Sequence, residues 1–192
     1  VISGGRVIFG AALGYREVEL AAFGVRRSEI VRRFTENLEA IERLWTEDNV
    51  TFEGNYYRFE GVTIEPKPAA RPRPPIWIAN NAGRSGFGYA GGSELVERTL
   101  RRVVNHADGW ETSLYDPEDL RWRIGYIRSY AAEKGRDPRS IETHLYHNIL
   151  VNEDKQAALA EAKRFLDIYY TTDFPLEVID GWVATGSPEE CA

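Results

Sequence analysis

Residues 6–16 read RVIFGAALGYR, an apolar run from Val7 to Leu13 that stops at Gly14, Tyr15 and Arg16. Continuous apolar character without alternation predicts a strand over Val7–Gly14 that is buried on both faces. Such a strand belongs in a sheet with helices packed over it. The run opens into a polar loop at Gly14-Tyr15-Arg16.

Working outward, the pattern changes to a helix from Ser28 to Asp48, with Val31, Phe34, Leu38, Ile41 and Trp45 at spacings of three and four and Ser28 as N-cap. Val50, Phe52, Tyr57, Phe59, Val62 and Ile64, set around Gly54-Asn55 and Gly61, read as a short hairpin. Prolines 66, 68, 72, 74 and 75 force an extended connector, which leads to a second buried strand in PIWIANN. A Gly-rich loop over residues 80–93 precedes a helix carrying Leu95, Val96, Leu100, Val103 and Val104, and Gly109-Trp110 opens a third strand. Asp116-Pro117-Glu118 starts the next helix, which stops at Gly135. Ile141–Val151 reads as a fourth strand, followed by an Ala-rich helix, a fifth strand in GWVATG, and a helix start at Ser187-Pro188.

Regular alternation of strand and helix means a parallel sheet with right-handed crossovers. Five strand–helix units form either an open doubly wound sheet or five-eighths of a barrel, and periodicity does not separate the two. The chain has 192 residues, 43% of them hydrophobic, which suits a single domain with a proper core. With 30 acidic and 24 basic residues the net charge is -6, which argues against non-specific binding to nucleic acid or anionic lipid. No apolar run approaches the ~20 residues of a membrane span, and no secretory signal opens the chain. One cysteine, Cys191, rules out an intrachain disulfide framework and points to a reducing, cytoplasmic setting. The lack of any Met suggests that Val1 is an internal position of a longer polypeptide.

Several patterns compete for the chemistry. Gly86, Gly88 and Gly91 form a G-x-G-x-x-G, but six residues, Asn80–Ser85, separate it from the strand that ends at Ala79. A Rossmann turn follows its strand almost at once, so this spacing disfavours dinucleotide binding. Gly91-Gly92-Ser93 at a helix start could hold a phosphate through free N–H groups, or Ser93 could simply cap its helix. His144, Tyr146 and Asn148 alternate along the fourth strand and together favour a polar pocket. His106 falls in the last turn of a helix, where a cation complements the dipole. No metal-ligand spacing, nucleophile elbow or Walker lysine motif is present. Tyr56, Tyr57 and Phe59 read as hairpin packing, since no basic cluster lies beside them.

SGGRVIFGAALGYREVELAAFGV (3–25), LEAIERLWTEDNVTFEGNYYRFEGVTIEPKP (38–68), RPPIWIANN (73–81) and HADGW (106–110) are, in order, similar to the bacterial luciferase-like monooxygenases. YHNILVNED (146–154), AKRFLDIYY (162–170) and WVATGSPEEC (182–191) extend the resemblance over nearly the whole chain. It implies a (β/α)8 (TIM) barrel that binds FMN or the deazaflavin coenzyme F-420 at its C-terminal face. The chain then corresponds to barrel strands 4 to 8, as a partial TIM barrel in one incomplete domain over 1–192, with a hairpin and Pro-rich insertion at about 49–75. A complete barrel takes ~250 residues.

Position by position, the resemblance implies that Gly14 and Tyr15 lie at the flavin rim and that Arg33 reaches the flavin phosphate. It puts Asn80 and Asn81 at the start of the phosphate loop, with Gly91, Gly92 and Ser93 at its far end. His144, Tyr146 and Asn148 become the wall of a substrate pocket. The implied activity is flavin-dependent oxidation of a small organic molecule, with reduced FMN and oxygen or with F-420, in a homo-oligomer when full length and with a flavin reductase as partner. Two other readings are a non-catalytic remnant or partner subunit that retains the fold, and a Rossmann-type nucleotide binder.

Overall fold

The computed structural model describes residues 2–83, 93–113 and 116–192. Gly86, Gly88, Gly91 and Gly92 lie outside the described residues. The elements in chain order are β1 (Phe9–Ala11), α1 (Glu17–Ala22), α2 (Ile30–Thr46), β2 (Val50–Glu53), β3 (Arg58–Val62), β4 (Ile76–Ala79) and α3 (Ser93–His106). They continue with β5 (Gly109–Thr112), α4 (Pro117–Glu133), β6 (Glu142–Leu145), β7 (Asn148–Val151), α5 (Lys155–Tyr170), α6 (Leu176–Trp182), β8 (Val183–Gly186) and α7 (Pro188–Cys191). Two compact units emerge, Val1–Ala79 with Arg102–Trp110, and Asn80–Arg101 with Glu111–Ala192.

In the first unit β1 runs parallel to β4, with Phe9 opposite Ile76 and Ala11 opposite Ile78. The opening strand is shorter than its sequence suggests, and Val7 and Ile8 are 54% and 47% exposed rather than buried. The reason is pairing: among the described residues β1 is the terminal strand of its sheet, with β4 as its hydrogen-bonded neighbour. Ile76 and Ile78 of β4 are buried, whereas Trp77 and Ala79 on the opposite face are only half-buried. Gly109 lies against Trp77 so closely that a Cβ would stand 2.5 Å from the indole.

Of the expected stripe, helix α2 buries Phe34 and Leu38 and half-buries Ile41 and Trp45, but Val31 is exposed. Ser28 does not cap it. A short 3-10 turn over Arg27–Glu29 takes up that position, and Glu29 is the N-cap with no side-chain bond. The hairpin forms as expected: β2 and β3 are antiparallel, with Val50 opposite Val62 and the Phe52 and Phe59 rings stacked at 5.5 Å. Arg73 in the connector bonds Glu42 at 2.9 Å and also Asp108, whose carboxylate accepts from the Ile76 N–H at 2.9 Å. Asp108 therefore fixes the entry to β4.

His106 departs from the dipole argument. Burial, and then the neighbouring Arg102, push its pKa below the ordinary imidazole value, against the opposing pull of Glu39 and Glu42. The folded state thus holds this proton less readily than the unfolded chain. Its contribution is complete above about pH 6.5 and is lost as pH falls through the depressed value. Urea midpoints taken at falling pH should therefore drop more for the wild type than for His106→Gln, and parallel curves would contradict this.

In the second unit β7 and β8 pair in parallel, with Asn148 opposite Val183 and Leu150 opposite Thr185. Asp116 caps α4, accepting from Glu118 and Asp119 N–H groups at 2.9 and 2.8 Å, and Asp154 caps α5 in the same way. Ser187 and Glu190 form a capping box on α7. The core gathers Ala162, Leu166, Phe174, Ile179, Trp182 and Val183, with Leu150 packed against it. The single strand expected over Ile141–Val151 is two, β6 and β7, which join different sheets. At the break, the Tyr146 N–H bonds the Thr112 carbonyl at 2.8 Å. GWVATG is likewise divided, because Trp182 closes α6 before β8 begins.

Candidate functional site

Among the described residues, one face of β7 is covered and the other is open. Leu150 and Val183 turn one face of β7 and β8 into the core. Alternation puts Ile149 and Val151 on the other face, where they are 61% and 55% exposed. Apolar strand residues left open in this way mark a face that another layer of side chains or a ligand would fill.

At the ends of the strands the second unit collects polar groups. The Asn80 N–H bonds the Glu111 carbonyl at 2.9 Å, and Asn80 Oδ1 accepts from the Ala82 N–H at 2.8 Å. The Asn81 amide ties down the end of β5 and the residue after it: its oxygen accepts from Thr112 Oγ1 and the Ser113 N–H at 2.8 and 2.9 Å, and its nitrogen donates to Ser113 Oγ at 2.8 Å. Both asparagines thus shape the bend after β4. Ser93 is the first residue of α3 and is exposed.

The expected polar face of His144, Tyr146 and Asn148 is not one face, because the break between β6 and β7 shifts the alternation. His144 Nδ1 lies 3.3 Å from Glu111 Oε2, so the carboxylate on β5 addresses one ring nitrogen. Tyr146 Oη donates to Asn148 Oδ1 at 3.3 Å. Sequence reasoning missed Glu111. The signal was an acid between Trp110 and Thr112, both buried, in a strand otherwise packed into the sheet.

In the first unit Gly14 has φ 78, a left-handed turn that a side chain would strain. Tyr15 next to it is exposed, with the Arg16 guanidinium 5.6 Å from its ring centre. Arg33 sits on α2 with its guanidinium 4.7 Å from the Tyr56 ring and 6.0 Å from that of Tyr57. Glu29 is 3.8 Å away, and the Arg33 Nε is buried without a hydrogen-bond partner. The hairpin tip therefore does more than pack, because its two tyrosines seat this arginine.

The tip is itself fixed by Glu36, whose carboxylate accepts from the N–H groups of Asn55, Tyr56 and Tyr57 at 2.8, 2.7 and 2.8 Å. Burial alone would raise this carboxyl, but the three N–H groups outweigh burial and hold its pKa below the ordinary value.

The family model described as luciferase-like monooxygenase matches residues 1–190. The chain belongs to the luciferase-like monooxygenase family. That membership overturns the Rossmann-type reading. Among curated luciferase-like relatives, an FMNH(2)-dependent dimethylsulfone monooxygenase of Pseudomonas putida is 29% identical over 190 residues, which are 97% of this chain and 48% of that protein. An F420-dependent glucose-6-phosphate dehydrogenase of Intrasporangium calvum is 36% identical over 147 residues, 68% of this chain and 43% of that one. The chain thus spans about half the length of the curated relatives it matches.

Among solved luciferase-like structures, the monooxygenase RslO1 from Streptomyces bottropensis superposes with a TM-score of 0.73 at 29% identity, over 99% of this chain and 56% of that one. An F420-dependent secondary alcohol dehydrogenase, in complex with an F420-acetone adduct, gives 0.75 at 18% identity over 97% and 58% of the two chains. At that identity the second likeness concerns the fold alone. Among the described residues, no helix is long and apolar enough to cross a membrane.

Proposed function

We propose that this chain supplies strands 4 to 8 of a luciferase-like (β/α)8 barrel in a flavin-dependent oxidoreductase acting on a small organic substrate. The cofactor is FMN, used reduced with oxygen and received from a flavin reductase, or coenzyme F-420. The family match over 190 residues carries this reading, since the relatives in it are named for one or the other cofactor. The open face of β7 supports the barrel, because that is the side from which a closed barrel is filled.

The residues fit a phosphorylated, oxygen-rich cofactor. In the first unit a buried donor, Arg33 Nε, stays unused. Unpaired buried donors are costly, and acceptor oxygens of a ligand relieve that cost. In the first unit, Arg33 would balance phosphate charge and Gly14 with Tyr15 would border the ring.

When bound, the flavin or deazaflavin supplies the redox chemistry. The chain's own part is orientation. The Tyr56 and Tyr57 rings hold Arg33 in one position before any ligand arrives. Glu111 fixes the ring orientation of His144, and the Tyr146–Asn148 bond sets the amide, so that these side chains direct the substrate.

Removing Arg33 tests the assignment. In the intact protein Arg33→Ala should raise the cofactor dissociation constant about tenfold or more, the scale of one charge-assisted contact. An unchanged constant by fluorescence titration would take Arg33 out of the site.

A further inference from the structure

His147 stands at the break between β6 and β7, and its two neighbours settle which way it points. Tyr146 Oη donates to Asn148 Oδ1 at 3.3 Å, so those two side chains lie on one side of the chain. Asn148 begins β7, where it shares a side with Leu150, which packs on the core. His147, between Tyr146 and Asn148, therefore points to the other side, together with Ile149 and Val151 on the open face.

The ring is only partly buried, yet its Nδ1 is shut off from solvent and has no hydrogen-bond partner among the described residues. Nε2 is not shut off in this way. A hydrogen on Nδ1 would be a buried donor without an acceptor, a rarer defect than a buried lone pair. The hydrogen therefore sits on Nε2, and the open face carries one N–H donor beside two aliphatic side chains. His144 differs, since Glu111 addresses its Nδ1.

We propose that His147 is a specificity-determining residue: its Nε2–H donates to an acceptor oxygen of an uncharged substrate whose apolar body covers Ile149 and Val151. The inference rests on the barrel part of the reading above, in which the open face of β7 lines the interior. Such a surface suits a carbonyl compound, whose oxygen takes the hydrogen bond while its hydrocarbon covers the aliphatic side chains. A group with donors alone, such as an ammonium, would set N–H against N–H and lose its hydration without gaining a partner.

Two probes of one shape separate these cases. Cyclohexanone offers an acceptor and no donor, and cyclohexylammonium offers donors and no acceptor. Titrated calorimetrically into the intact protein, with and without cofactor, cyclohexanone should bind about tenfold more tightly, the scale of one hydrogen bond. His147→Phe should abolish that preference, and His147→Gln, whose amide keeps a donor, should restore most of it. Nitrogen-15 NMR of the histidine ring, assigned with His147→Gln under mildly alkaline conditions, should show the hydrogen on Nε2, and cyclohexanone should shift that nitrogen.

Neither readout needs turnover, and the NMR result on the wild type holds even if His147→Phe fails to fold. If neither flavin binds while the ketone preference still depends on His147, the cofactor reading fails and this one stands. Equal affinity for the two probes, a preference indifferent to His147→Phe, or a ring carrying its hydrogen on Nδ1 would overturn the proposal.

Discussion

Trp182→Ala should lower the stability of the protein by about 3–5 kcal/mol, the range for removing a large aromatic side chain from a core. Trp182 is fully buried. Its ring lies 5.3 Å from Tyr170 and 5.7 Å from Phe174, the latter edge-on, with Ile179 and Val183 in the same cluster. These residues come from α5, α6, β8 and the turn between the helices. Truncation would therefore leave a cavity whose walls are held on several sides and cannot collapse into it.

The turn adds to that rigidity. Lys163 bridges Asp167 and Asp173, and Asp167 also accepts from the Phe174 N–H at 2.9 Å. Since natural domains are stable by only about 5–15 kcal/mol, such a loss should move the urea midpoint a long way. Trp122→Ala, at an exposed position on α4, should cost less than about 1 kcal/mol. Equal midpoints for the two variants would show that the cluster is not the core of its unit.

Glu36→Ala should cost about 3 kcal/mol, because it leaves three backbone donors at the hairpin tip without their carboxylate. Glu36→Gln should be nearly as harmful. An amide keeps one acceptor oxygen and turns an NH2 toward N–H groups, whereas the native carboxylate uses both oxygens. Gly54 belongs to the same arrangement, since a Cβ there would stand 2.2 Å from Glu36 Oε1. Because the carboxyl pKa is lowered in the folded state, its stabilisation is complete above the unfolded value and is lost as pH falls through the folded one. Amides 55–57 should exchange with solvent much faster in Glu36→Ala, while Glu39→Ala, at an exposed position of the same helix, should leave them protected. Unchanged protection in Glu36→Ala would contradict this role.

Elements governed by local rules were legible in the sequence. The stripe of α2, the hairpin around Gly54-Asn55, and the helix starts at Asp116 and Ser187 each depend on residues a few positions apart. Misreadings arose where tertiary partners decide. Val7 and Ile8 look like buried strand residues, yet among the described residues the strand they lead into lies at the end of its sheet. The apolar run from Ile141 to Val151 hides a change of partner, since β6 adjoins β5 whereas β7 adjoins β8. α1 was missed because it buries no residue and so has no stripe to read.

Of the proposed site, resemblance pointed to Arg33. The features that hold it, Tyr56, Tyr57 and the carboxylate of Glu36, are distant in sequence and became visible with the hairpin folded back on α2. Glu111 and His144 likewise meet only across strands.

The central claim is that this is part of a flavin-binding barrel enzyme, and cofactor binding tests it most directly. Reduced FMN and coenzyme F-420 should each be titrated into the intact protein that carries these 192 residues, with fluorescence as the readout. One of the two should bind with a dissociation constant of about 10 µM or tighter and be weakened by Arg33→Ala. Binding of neither at about 100 µM would contradict the account.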